Sequence, residues 1–194
     1  SMTESDLRIL LLNYEFPPLG GGAATASAQI ARHMARRGAK VAVLTSRHKG
    51  LPRREEQDGY TIHRVPVMRR NLDRCSMPEM GAFMAGAMLP ALRLAHTFKP
   101  HLMHVFFGMP TGPVGYMVSR ITGVPYLLSL RGGDVPGFMG KELERVHKLT
   151  MPLTRLVWTR ASVIVANSQG LHGLAKKTMP GRSIEIVPNG VDLD

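Results

Sequence analysis

Short apolar runs alternate with stretches of helical periodicity from one end of the chain to the other. Residues 7–13, Leu-Arg-Ile-Leu-Leu-Leu-Asn, predict a buried strand, and a loop rich in Pro and Gly follows through Gly22. In residues 25–37, Ala26, Ile30 and Met34 share one stripe while Arg32, Arg36 and Arg37 lie off it. That spacing predicts an amphipathic helix, which Gly38 stops. Residues 40–45 and 60–65 predict the next two strands, and a Met-rich helix is expected over 78–98, kinked or split by Pro90. Beyond it, strands at 102–107, 125–130, 162–166 and 184–187 are separated by helices at 111–122, 141–160 and 168–179. Within 141–160, Pro152 is expected to begin a second piece.

This alternation predicts an α/β fold, a doubly wound, mainly parallel sheet of about seven strands with helices on both faces, in spatial order 3-2-1-4-5-6-7. The third strand, which no helix precedes, is the one open to an antiparallel course. A length of 194 residues suits one domain spanning 1–194. The last residues, Pro188-Asn-Gly-Val-Asp-Leu-Asp194, follow a strand with no closing helix, which reads as a cut at a domain boundary.

Composition narrows the class. With 44% hydrophobic and 20% charged residues the chain is a folded globular domain rather than a disordered one. The single cysteine, Cys75, excludes a disulfide framework and a Cys-rich zinc module and points to a reducing compartment. Residues 7–12 are too short for a signal segment, and residues 100–119, the longest uncharged run, are broken by Pro110, Gly112, Pro113 and Gly115. A cytoplasmic protein is expected, at most peripheral on the cytoplasmic face of a membrane. The net charge of +11 runs through both halves and favours an anionic partner, phosphate or acidic lipid headgroups. Nucleic acid is set aside: Trp158 is the sole Trp, and aromatic and basic residues do not interleave.

In an open parallel sheet the loops after the strands carry the ligands. The first, Tyr14-Glu-Phe-Pro-Pro-Leu-Gly-Gly-Gly22, ends in three glycines that let backbone approach a ligand closely, just before a helix start with free N–H groups. A dinucleotide site fits badly: Gly20 comes seven residues after Asn13, and Arg47 stands where an acidic residue should end the second strand. The second loop, Ser129-Leu-Arg-Gly-Gly-Asp134, joins a guanidinium able to fork onto phosphate or carboxylate with an acid able to accept from hydroxyls. An Arg131–Asp134 pair that only braces the loop is the plainer alternative. Ser168, after the sixth strand, is equally a natural helix cap. His101 and His104 lie three apart on a strand and so face opposite ways, and no zinc pattern is present. His104 either lines the cleft or is a structural histidine. Met80, Met84 and Met88 form a stripe that reads as core packing; the other reading is an oily groove beside Arg69, Arg70 and Arg74 for a lipid-linked acceptor or an anionic membrane.

Taken together, Phe16-Pro-Pro-Leu-Gly-Gly-Gly22, Arg37-Gly-Ala-Lys-Val-Ala-Val-Leu-Thr45, Gly123-Val-Pro125, Ser129-Leu-Arg-Gly-Gly-Asp134, Ala161-Ser-Val-Ile-Val-Ala-Asn-Ser168 and Ile186-Val-Pro-Asn-Gly-Val-Asp192 resemble the amino-terminal domain of a family 4 glycosyltransferase. The resemblance implies a Rossmann-like half of a GT-B fold and sugar transfer from a nucleotide-diphosphate sugar to a sugar, lipid-linked or other hydroxyl acceptor, with retention and without a bound catalytic metal. It implies that this domain binds mainly the acceptor, and that the nucleotide is held by a second domain carrying a Glu-x7-Glu pair, absent from these residues. The diphosphate and substrate would meet Gly20, Gly21, Gly22, Arg131, Gly132, Asp134 and Ser168, with Glu15, Arg69, Arg70 and His104 on the acceptor side. Where many members carry His-Gly, this chain has Arg131-Gly132; a guanidinium stays charged and cannot serve as a general base. Arg131 and Asp134 are the candidates nearest the reaction, Arg131 as an anion binder. The competing reading is a stand-alone Rossmann-like binding module for a phosphorylated or anionic ligand.

Overall fold

The computed structural model describes residues 3–66, 77–137 and 144–188. Its strands are β1 (Arg8–Leu12), β2 (Lys40–Arg47), β3 (Arg54–Gln57), β4 (Tyr60–Pro66), β5 (Leu102–Phe106), β6 (Tyr126–Ser129), β7 (Val163–Ala166) and β8 (Glu185–Ile186). Its α-helices are α1 (Gly22–Arg36), α2 (Met77–Phe98), α3 (Thr111–Thr122), α4 (Glu144–Arg160) and α5 (Gln169–Thr178).

All eight strands form one sheet in the order β3-β4-β2-β1-β5-β6-β7-β8. Every neighbouring pair is parallel except β3 and β4. The seven expected strands therefore stand in the expected order, and the strand at Tyr60 runs parallel to β2, not antiparallel. The eighth strand, β3, was not foreseen. It is an edge hairpin closed by Asp58 (φ 49°) and Gly59 (φ 84°), both left-handed, as a tight two-residue hairpin turn requires. Its Arg-Glu-Glu-Gln sequence has no apolar residue to mark it as a strand.

Alternation along the strands splits the core into two layers. Leu10, Leu12, Met103, Val105, Tyr126 and Leu128 face α2, α3, α4 and α5. Ile9, Leu11, Val41, Val43 and Ile62 face α1, which buries Ala31 against them. Met84, Met88 and Leu92 are half-buried and pack on the first layer, as the core reading of that stripe of α2 expects. α2 is a single helix that continues through Pro90, and α4 continues through Pro152. Close packing of α3 needs glycine: a Cβ on Gly115 would lie 2.6 Å from Val105 Cγ2, and one on Gly112 2.8 Å from Val157 Cγ1.

Among the described residues, no helix is long and apolar enough to cross a membrane. Arg69, Arg70 and Arg74 lie outside the described residues.

Candidate functional site

The parallel strands β1, β5 and β6 are adjacent, so the loops leaving their carboxyl ends converge on one rim. Asn13, fully buried at the end of β1, anchors the first loop. Its Nδ2 donates to Ser27 Oγ at 3.1 Å and to the Ala23 carbonyl at 3.4 Å, and its Oδ1 accepts the Glu15 N–H at 3.0 Å. The Tyr14 N–H donates to Thr111 Oγ1, and the Tyr14 ring packs 4.8 Å from that of Phe107. The first loop is thus fastened to α1 on one side and to the β5–α3 turn on the other.

The three glycines differ. Gly20 has φ +84°, and a Cβ there would fall 2.5 Å from Glu15 Oε2, so both conformation and space demand glycine. Gly21 and Gly22 face open space, with no atom within 4 Å of an added Cβ. Gly21 is the N-cap of α1 and no side chain caps that end, which leaves the first N–H groups of α1 pointing outward. Backbone donors with room in front of them are what a phosphate group needs.

The second cluster follows β6. Asp134 is buried; its Oδ2 accepts the Arg131 N–H at 2.8 Å and its Oδ1 the Met109 N–H at 3.2 Å, and the Gly108 N–H also reaches it. Burial pushes this carboxyl up to about 6, against the pull of those N–H groups. Gly108 lets the acid sit there, since a Cβ would come within 3.4 Å of the Asp134 carboxyl carbon. Asp134 therefore binds the β5–α3 loop to the β6–α4 loop through backbone. The Arg131 guanidinium lies 5.3 Å from the centre of the Phe106 ring, and Phe106 stacks on His104 at 4.3 Å. Burial lowers the Arg131 guanidinium, opposed by the nearby Asp134 charge. His104 Nε2 lies 2.8 Å from Ser129 Oγ, and burial together with the Arg131 charge pushes its imidazole down to about 3. His104 is neutral at pH 7.

His104, Phe106, Ser129 and Arg131 line one end of a hollow of about 440 Å³ that continues past Asn167 to Val187. Its other wall is α1, through Gln29, Ile30 and His33. Glu15 and the glycine loop lie outside this hollow, although Glu15 contacts Gly20. Ser168 serves as the N-cap of α5, its Oγ accepting the Leu171 N–H at 3.2 Å. Asn13, Tyr14, Thr111 and Gly108, which fix the loops, were not singled out from sequence. A polar Asn closing an apolar strand was the one available signal. Among the described residues no group of three or more metal-ligating side chains gathers.

Residues 20–194 match the family model for Glycosyltransferase Family 4. Two curated relatives are similar: the teichuronic acid biosynthesis glycosyltransferase TuaC of Bacillus subtilis strain 168, 28% identical over 73% of this chain and 34% of its own length, and the 2-deoxystreptamine N-acetyl-D-glucosaminyltransferase of Streptomyces fradiae, 27% identical over 88% of this chain and 43% of its own. The chain thus spans less than half the length of either relative. Among solved structures, sucrose-phosphate synthase from Thermosynechococcus elongatus superposes with a TM-score of 0.75 over 96% of this chain and 49% of that one, at 15% identity, a likeness of fold. The match runs through the glycine loop, the Arg131–Asp134 loop and the last strand alike, and the chain belongs to Glycosyltransferase Family 4.

Proposed function

We propose that this chain is the acceptor-binding, amino-terminal half of a retaining glycosyltransferase that moves a sugar from a nucleotide-diphosphate donor to a hydroxyl on a sugar or lipid-linked acceptor. The observation that carries the reading is the pairing, on one rim of the sheet, of an uncapped α1 amino end behind Gly21 and Gly22 with the largely buried Arg131. Both sit at the carboxyl rim of the sheet, one offering N–H dipoles and the other positive charge, and donor diphosphate is the group that carries matching negative charge. In this reading Gly21, Gly22 and the α1 N–H groups take the diphosphate, Arg131 forks onto phosphate or another anion, and Asp134 fixes the Arg131 backbone. Glu15 and neutral His104 border the acceptor side, with Arg69 and Arg70 proposed beside them. The nucleotide is assigned to a second, donor-side domain, and the reaction to the cytoplasm or the cytoplasmic face of a membrane. Membership of a transferase family gives this reading precedence over a self-sufficient binding module.

Release of nucleoside diphosphate by protein containing both halves, across a panel of nucleotide sugars and hydroxyl acceptors, tests the reading. Acceptor-dependent release that falls at least about tenfold in Arg131→Ala is the expected result. Steady transfer by the 194-residue chain alone would overturn the division of labour.

A further inference from the structure

The outer side of the helix layer carries a face unlike the rest of the surface. Thr154, Val157 and Trp158, all in its carboxyl-terminal half, fix the inward side of α4. The opposite stripe holds Arg145, Lys148, Leu149, Pro152, Arg155 and Leu156, all exposed and at the three- and four-residue spacing of one helix side. Leu149 is 77% exposed and Leu156 50%. Arg160, one turn beyond Leu156, donates to Ser119 Oγ at 3.0 Å and to the Ser119 carbonyl at 3.1 Å, so the Leu156 side of α4 lies along α3. α3 continues the face with Met117, Arg120 and Ile121, the last 61% exposed.

The charge of this face is one-sided. Glu144, in the first turn of α4, is the only acidic residue of the two helices, and neighbouring α5 contributes Lys176 and Lys177 but no acid. On the far flank Arg155 and Arg182 border a hollow of about 520 Å³, together with Thr159 and Thr178. The Arg182 Nε is buried without a hydrogen-bond partner among the described residues.

We infer that this face of α3 and α4 rests on an anionic lipid membrane. Leu149, Leu156 and Ile121 enter the boundary between headgroups and acyl chains, Arg120, Arg145 and Lys148 meet lipid phosphates, and the Arg155–Arg182 hollow takes a headgroup. Apolar side chains standing singly on a convex helical surface need no matching pocket in a fluid bilayer, whereas a folded partner would have to supply one. The cations around them outnumber the one acid, Glu144, and so complement an anionic surface. The face lies apart from the rim of the sheet and the inference does not rest on the transferase reading.

Co-sedimentation of the chain with phosphatidylcholine vesicles, with and without phosphatidylglycerol, is the test. Binding about tenfold tighter to the anionic vesicles, weakening as salt rises, is expected. Arg145→Glu with Lys148→Glu should lower that binding by about tenfold, while the same charge change on the opposite side, Lys40→Glu with Arg54→Glu, should leave it within about twofold. Leu149→Ser with Leu156→Ser should lower it severalfold, and since both are exposed the circular dichroism spectrum should not change. No preference for anionic vesicles, or equal losses in the two charge-reversed pairs, would overturn the inference. So would unchanged binding in the leucine pair. Because the measurement needs neither donor nor acceptor, its failure would leave the transferase reading standing.

Discussion

The carboxylate of Asp134 accepts the main-chain N–H of Arg131 at 2.8 Å, while the guanidinium of the same arginine lies over the Phe106 ring. Positioning and charge are therefore separable in this loop. Asp134→Ala leaves the buried N–H groups of Arg131 and Met109 without their acceptor and should destabilise the fold by about 2–4 kcal/mol. Arg131→Ala keeps that main-chain N–H and removes the guanidinium with its contact to Phe106 and its charge beside Asp134, and should cost less, about 1 kcal/mol. Thermal melts of the two variants check this; equal losses would mean that the guanidinium itself braces the loop.

Buried Asp134 and half-buried His104 should make stability depend on pH in opposite directions. The Asp134 carboxyl is raised to about 6, so its share of stability is greatest in acid and is lost as pH rises through 6. His104 is lowered to about 3, so the folded state disfavours its proton and stability falls as pH drops below the ordinary histidine range. Between pH 7 and 5 these amount to a gain of about 1 kcal/mol and a loss of about 2 kcal/mol. Asp134→Asn should thus steepen the acid loss and His104→Phe should remove most of it, as read from melts at pH 5, 6 and 7.

In the protein with both halves, Arg131→Ala should lower kcat/KM by a factor equivalent to about 2–4 kcal/mol, and Arg131→Lys should recover only part, because an ammonium keeps the charge and loses the fork. Unchanged kinetics in Arg131→Ala would remove this residue from the site.

The glycines should divide by role. Gly20→Val forces a side chain into the Glu15 carboxylate at φ +84° and should cost about 2–4 kcal/mol of stability. Gly21→Val, which meets open space, should change stability by about 1 kcal/mol or less while cutting turnover strongly, since its methyls occupy the approach to the α1 N–H groups. Melting temperature and turnover measured on both variants separate the two effects.

Periodicity carried the architecture. Apolar runs such as Leu10–Leu12 and Val41–Leu44 announce strands buried on both faces, and parallel pairing with right-handed crossovers leaves few arrangements. β3 escaped because a charged edge strand has no hydrophobic signature, although Asp58-Gly59 carried the turn signal for it. At the site, the glycines, Arg131 and Asp134 were legible as residue types. Their partners were not: that Asp134 grips the main chain of Arg131 and Met109, and that Gly20 and not Gly21 is the constrained glycine, depend on three-dimensional neighbours. The same holds for Met84 and Met88, whose stripe suits a core and a groove equally well until the sheet beneath them is known.

The edge hairpin also bears on how the molecule behaves in concentrated solution. A long parallel sheet ends in strands whose unpaired N–H and C=O groups invite another chain to add itself. At one end the last strand, β3, presents Arg54, Glu55, Glu56 and Gln57, and Arg54 pairs with Glu56 along the exposed border at 3.4 Å. A second molecule that docked there by backbone pairing would have to strip water from those charges. At the other end β8 offers two residues, too few to template an incoming strand. Strand-by-strand polymerisation is thereby closed off at both borders of a sheet whose interior is almost wholly apolar.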